Sequence, residues 1–174
     1  LYPHYAAGIP VDWLMKAGKA PAGPRGRIAH ALLTGMEMQM DRILRTLRTD
    51  PKPSYEKDSE HIYLIWDAYD WVDAGPDTFV GYWRETDRLE ITGGEALVSS
   101  HWNPETGRML MAVVNPTRQE QTVRIELNSA TLEINPESLQ VEDAVLGGTV
   151  ETDENSITVE IPEDQYRLYR VTLK

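Results

Sequence analysis

In residues 121–127, Gln121-Thr122-Val123-Arg124-Ile125-Glu126-Leu127, polar and apolar side chains alternate from Thr122 to Leu127. Successive side chains of an extended chain point to opposite faces, so Val123, Ile125 and Leu127 share one face while Thr122, Arg124 and Glu126 share the other. That is the pattern of a strand with one side buried and one side in water. The same period of two returns at Ile157, Val159 and Ile161, which alternate with Thr158 and Glu160.

Met109 to Val114 is apolar at every position and suits a strand covered on both faces. Turn chemistry separates the runs: Asn103-Pro104-Glu105-Thr106-Gly107, Asn115-Pro116-Thr117, Gly147-Gly148 and Pro162-Glu163-Asp164. Strands are expected near 96–102, 108–114, 121–127, 131–134, 139–145, 149–152, 156–161 and 166–173. Short strands at this spacing predict an antiparallel β-sandwich, with a barrel as the alternative closure.

Upstream the period changes. Ile28, Leu32, Met36, Met40, Ile43 and Leu47 recur at three- and four-residue steps between Arg25 and Arg48, which is one stripe of a helix, with Gly35 a point where it bends or divides. Asp50-Pro51-Lys52-Pro53 ends it. A second helix is expected to open after Ser59 and run through Ile62, Leu64, Ile65 and Trp66 to Trp71, although its β-branched and aromatic content also suits a strand. Residues 1–24 hold Pro3, Pro10, Pro21 and Pro24 with three glycines, which leaves room only for a short helix at 11–17. The expected fold is therefore α+β, an N-terminal helical segment at 1–94 followed by an antiparallel β-sandwich at 95–174.

Composition narrows the function. The 28 acidic residues exceed the 17 basic ones, and a net charge of -11 repels a phosphate backbone, so nucleic acid is not expected as a partner. Without cysteine the chain has no disulfide, thiolate nucleophile or Cys-ligated zinc. No run of about 18 apolar residues offers a membrane-spanning helix, and no membrane partner is expected. The chain opens Leu1-Tyr2-Pro3-His4-Tyr5, without an initiator Met or a signal-peptide pattern, and reads as a piece of something longer.

The densest chemical grouping is Trp66-Asp67-Ala68-Tyr69-Asp70-Trp71-Val72-Asp73, followed by Phe79 and Gly81-Tyr82-Trp83-Arg84. Aromatic faces that stack on the apolar side of a sugar, beside carboxylates that accept its hydroxyl protons, are what a carbohydrate site requires. Trp66, Asp70, Trp71, Tyr82 and Trp83 are the candidate substrate-binding residues. Large aromatics more often fill the seam where two substructures meet, with their polar neighbours capping it, and that reading is the stronger of the two.

Catalytic candidates are thin. Glycoside hydrolysis needs two carboxylates about 5 to 9 Å apart. Asp67 and Asp70 would share a face of a helix, but that spacing is common in acidic helices. His4, His30, His61 and His101 are scattered, with no H-x-x-x-H spacing for a metal, and His4 is the least bland because it sits in a Pro-rich loop. No G-x-S-x-G or phosphate-binding Gly-rich loop occurs. No catalytic residue, metal ligand or cofactor is assigned.

The segment Ala96-Leu97-Val98-Ser99-Ser100, the run Arg108 to Thr117, Asp143-Ala144 and the closing Tyr166-Arg167-Leu168-Tyr169-Arg170-Val171 together resemble the C-terminal β-sandwich of bacterial glycoside hydrolases. Phe79-Val80-Gly81-Tyr82-Trp83 resembles the junction in glycosidase-like proteins of unassigned specificity. The resemblance covers about half the chain. It implies that residues 1–73 are the end of a (β/α)8 barrel, that the catalytic carboxylates lie on an upstream catalytic domain or chain, and that the protein is secreted or periplasmic. The function so implied is the non-catalytic C-terminal portion of a glycoside-hydrolase-like protein. A carbohydrate-binding module and a structural or assembly subunit are the alternatives.

Overall fold

The computed structural model describes residues 24–35, 53–84, 87–132, 139–162 and 165–173. The fold is α+β, with two helices layered on an antiparallel β-sandwich.

Helix α1 spans Pro24–Thr34 and α2 spans Pro53–Val72. Both begin on proline, whose fixed φ suits the first helical position and whose missing N–H would be unpaired there anyway. Pro53 therefore opens α2 two turns before Ser59, where the sequence pattern placed its start. Gly35, with φ +64, closes α1 in the left-handed conformation that costs glycine nothing. The expected continuation of that helix to Arg48 lies outside the described residues, as does the expected helix at 11–17. At the end of α2 the αL residue is Asp73 (φ 55), and the Ala74 N–H closes the turn on the Tyr69 carbonyl at 3.0 Å.

The strands are β1 (Phe79–Val80), β2 (Leu89–Thr92), β3 (Leu97–Asn103), β4 (Arg108–Val114), β5 (Gln121–Leu127), β6 (Gln140–Asp143), β7 (Thr149–Val150), β8 (Thr152–Asp153), β9 (Ser156–Ile161) and β10 (Tyr166–Thr172). One sheet runs β1-β3-β4-β10-β6-β7 and the other β2-β5-β9-β8, every pairing antiparallel. The strand expected at 131–134 is corrected at residues 131 and 132, its other two residues lying outside the described ones. Ser129–Leu132 is a short helical turn, α3, because the Asn128 side chain accepts the N–H groups of Ala130 (3.1 Å) and Thr131 (3.2 Å) and starts a helix instead.

Strand β4 explains why the layers hold together. Met109, Met111 and Val113 point between the sheets, where they join Val123, Ile125, Leu127, Ile157, Val159 and Ile161 in the sandwich core. Leu110, Ala112 and Val114 point the other way and pack under Ile28, Leu32, Ile62, Ile65, Ala68 and Val72 of the helices. The continuous apolar run is thus a strand with a core on each side. The α2 residues at 62, 65, 68 and 72 step by three and four, so one narrow stripe of that helix is buried. Fully burying an Ile or Val side chain contributes about 1.5 to 3 kcal/mol, which makes this stripe the main anchor of α2. No helix among the described residues is long and apolar enough to cross a membrane.

Candidate functional site

On strand β3 the side chains facing the helices are Leu97, Ser99, His101 and Asn103, so the sheet meets the helix ends with polar groups. Ser99 Oγ donates to the Leu33 carbonyl at 2.8 Å and Asn103 Nδ2 to the Val72 carbonyl at 3.2 Å. Both acceptors are among the last carbonyls of a helix, which have no intrahelical donor. Ser99 Oγ also accepts the Tyr82 N–H at 2.8 Å, so the same hydroxyl that ends α1 fixes the turn after β1.

That turn carries the exposed aromatics. Tyr82 and Trp83 are 42% and 52% exposed, with ring centroids 5.0 Å apart and planes nearly perpendicular. Trp83 meets Phe79 edge-on at 6.3 Å. Its indole folds back over Gly81, where an added Cβ would lie 2.5 Å from the ring. Gly81 is therefore what lets the tryptophan occupy this place. Beside the pair, Tyr82, Leu89, Glu90, Ile91, Leu97 and Val98 line a groove of about 350 Å³, open to solvent, at the mouth of the sandwich between β2 and β3.

Behind the lip stands His101, buried and packed between Tyr69 and Phe79, each with its ring centroid 5.2 Å away. Its Nδ1 lies 3.0 Å from Thr78 Oγ1, which is itself 2.9 Å from both the carbonyl and the N–H of Gly75. With the threonine hydrogen given to the Gly75 carbonyl, His101 Nδ1–H donates to Thr78 and Nε2 keeps a lone pair that no group meets. Burial lowers the imidazole from 6.5 to about 4, a hydrogen bond to the Gly75 backbone opposing part of the shift. The ring is neutral at physiological pH and serves as an aromatic wall.

A second aromatic center lies at the C-terminal end of α2. The Trp71 ring carries two guanidinium groups, Arg108 Cζ at 5.2 Å and Arg170 Cζ at 5.8 Å from its centroid. Arg108 Nη1 donates to the Trp71 carbonyl at 2.8 Å. Arg108 and Arg170 both point to the helix side of the large sheet from neighbouring strands.

The residues singled out in the sequence therefore divide. Tyr82 and Trp83 are brought together, with Tyr82 lining the groove and Trp83 edge-on beside it. Trp71 stands apart with the two arginines, and Trp66 is half-buried with its ring edge-on to Tyr63 at 5.8 Å. Among the described residues no ring contact joins Trp66 or Trp71 to the Tyr82–Trp83 pair. Asp70 is exposed on α2, as is Asp67, and neither lines the groove. His61 Nδ1 lies 3.5 Å from the Tyr166 hydroxyl, while His4 and the side chain of His30 lie outside the described residues. Among the described residues no group of three or more His, Asp or Glu could hold a metal ion. Sequence reasoning missed Ser99, Asn103, Arg108 and Arg170. For Ser99 and Asn103 the signal is a polar side chain recurring every second residue on β3. Arg108, followed on its face by Leu110, Ala112 and Val114, and Arg170, preceded on its face by Tyr166 and Leu168, carry no such signal.

Comparison with protein-family models found no match, and neither did comparison with curated protein sequences. Solved structures similar to this chain include a provisionally assigned alpha-galactosidase/melibiase of Bacteroides fragilis, at 19% identity and a TM-score of 0.34 over 48% of this chain. An alpha-amylase of Anoxybacillus is similar at 12% identity and a TM-score of 0.35 over 49%. A GH42 beta-galactosidase is similar at 13% and 0.31 over 65%. The chain spans 16%, 18% and 12% of those three proteins. The neighbours are glycoside hydrolases, and the likeness is a distant one.

Proposed function

We propose that this chain is the non-catalytic, accessory portion of a glycoside-hydrolase-like protein, and that it holds saccharide at the Tyr82–Trp83 lip. The observation that carries this reading is the pair of exposed rings, of which Tyr82 lines a solvent-open groove and Trp83 stands beside it. A tryptophan left half in water beside a tyrosine is a large apolar surface without a cover, and the weakly polar faces of sugar rings stack on such surfaces. Glu90 at the groove wall is placed to accept sugar hydroxyl protons. Ser99 and Gly81 hold the lip in place from beneath, so the surface is preformed and little ordering cost is left to binding. The upstream catalytic partner belongs to the same reading.

Calorimetry with a panel of neutral polysaccharides and their oligosaccharides tests it on the 174-residue chain. Binding weakened at least tenfold by Trp83→Ala, with thermal unfolding unchanged, is the expected result. The absence of heat with every glycan, or equal affinity in the Trp83→Ala chain, would overturn it.

A further inference from the structure

We infer that the Trp71 center is a separate site for an oxyanion, the carboxylate or sulfate group of an acidic saccharide. The saccharide half of this inference rests on the proposed function; the oxyanion half does not. Charge carries it. The chain has 28 acidic residues against 17 basic ones, yet here two cations meet over one indole and, among the described residues, neither forms an ion pair. Glu142, the register partner of Arg170 on β6, is exposed and makes no ion pair with it.

Half of the arrangement has a structural explanation. α2 has no basic residue in its last turn, and Arg108 supplies one from the sheet, bonding the Trp71 carbonyl where the helix dipole is negative. One guanidinium meets that need. Arg170 is then left over: among the described residues it bonds no carbonyl of the helix and its Nε is buried without a partner, and its charge adds to that of Arg108. Like charges held close in a partly buried place repel, and a bound anion removes the repulsion. Guanidinium forks match carboxylate and sulfate oxygens in pairs, and a ring beneath them fixes their planes. Exposed Arg108 gives the anion its entry.

The test titrates the whole chain with sodium sulfate, with a uronic-acid oligosaccharide and with the neutral oligosaccharide of the same linkage, reading heat and the ¹⁵N–¹H resonance of Arg170 Nε. The uronate should bind at least tenfold more tightly than its neutral counterpart, sulfate should compete with it, and the Arg170 resonance should move. Arg170→Gln should abolish the preference. Arg108→Lys keeps the charge at the helix end but loses the fork, and should weaken uronate binding several-fold while the fold is kept. Equal affinity for acidic and neutral sugars, unaffected by Arg170→Gln, would overturn the oxyanion site and leave the Tyr82–Trp83 reading standing. Sulfate binding without uronate binding would overturn the saccharide half. Failure of both anions to move the Arg170 resonance would overturn the whole.

Discussion

Asn103 Nδ2 donates to the Val72 carbonyl across 3.2 Å, so one side chain of the sheet closes the end of α2. The same residue's Oδ1 accepts the N–H groups of Glu105 at 3.1 Å and Thr106 at 3.3 Å, which builds the β3–β4 turn. A single buried amide thus couples a hairpin to a helix end. Asn103→Ala leaves three backbone groups without their partner and is expected to cost about 2 to 4 kcal/mol, at about 1 to 3 kcal/mol for each buried group left unmade and partial rescue by water. Asn103→Asp keeps the turn acceptor but sets a carboxylate oxygen against the Val72 carbonyl, in a buried place at the negative end of α2, so at neutral pH it should cost at least as much. Urea unfolding of both variants checks the order.

His101 predicts how stability depends on pH. Its folded value of about 4 lies below the ordinary 6.5 because burial disfavours the charged ring. Between those values the unfolded chain binds the proton and the folded chain does not. Stability is therefore full above pH 6.5 and falls as the pH drops toward 4, by about 2 kcal/mol between pH 7 and pH 5. His101→Gln can still donate to Thr78 but does not titrate. Its stability should change by that much less over the same interval in chemical unfolding, and parallel curves for the two proteins would place the proton elsewhere.

Gly81 predicts a change that is local. An alanine Cβ there would sit against the far edge of the Trp83 indole, an exposed ring that can swing away. Gly81→Ala should therefore cost less than about 1 kcal/mol, as a surface rearrangement does. The Tyr82–Trp83 arrangement would be lost with it. A changed near-ultraviolet circular dichroism spectrum with an unchanged melting temperature, and glycan binding weakened as in Trp83→Ala, are the expected readings.

The strands were legible where burial imposes a local rule. Val123, Ile125 and Leu127 show their face by alternation, and the two-sided burial of Met109 to Val114 follows from its having no polar position at all. Strands β1 and β2 were not legible, because two and four residues carry too little pattern and their extension is set by partners: Phe79 opposite His101, Ile91 opposite Ile125. The aromatic grouping was legible as composition. Its division into two centers was not, since Arg108 and Arg170 reach Trp71 from strands far along the chain, and no spacing in the sequence encodes that meeting.

The two-sided strand β4 predicts where the chain can be divided. A fragment of residues 95–174 would keep every strand from β3 to β10 but lose β2, whose Leu89 and Ile91 pair with Leu127 and Ile125 at the edge of the small sheet. It would also lose both helices and leave Leu110, Ala112, Val114 and Leu168 facing water. Each buried aliphatic side chain returned to solvent forfeits about 1.5 to 3 kcal/mol, and a domain's whole margin is about 5 to 15 kcal/mol. Such a fragment should aggregate or remain unfolded, while a chain beginning at residue 53, which retains α2, β1 and β2, should fold with reduced stability. Within the full chain, Leu110→Ala and Met111→Ala each should cost about 2 to 5 kcal/mol, although they open cores on opposite sides of one strand. Hydrogen exchange separates them: Leu110→Ala should raise exchange first in α2, and Met111→Ala in β5 and β9. Equal acceleration everywhere in both variants would mean that helices and sandwich open only as one unit.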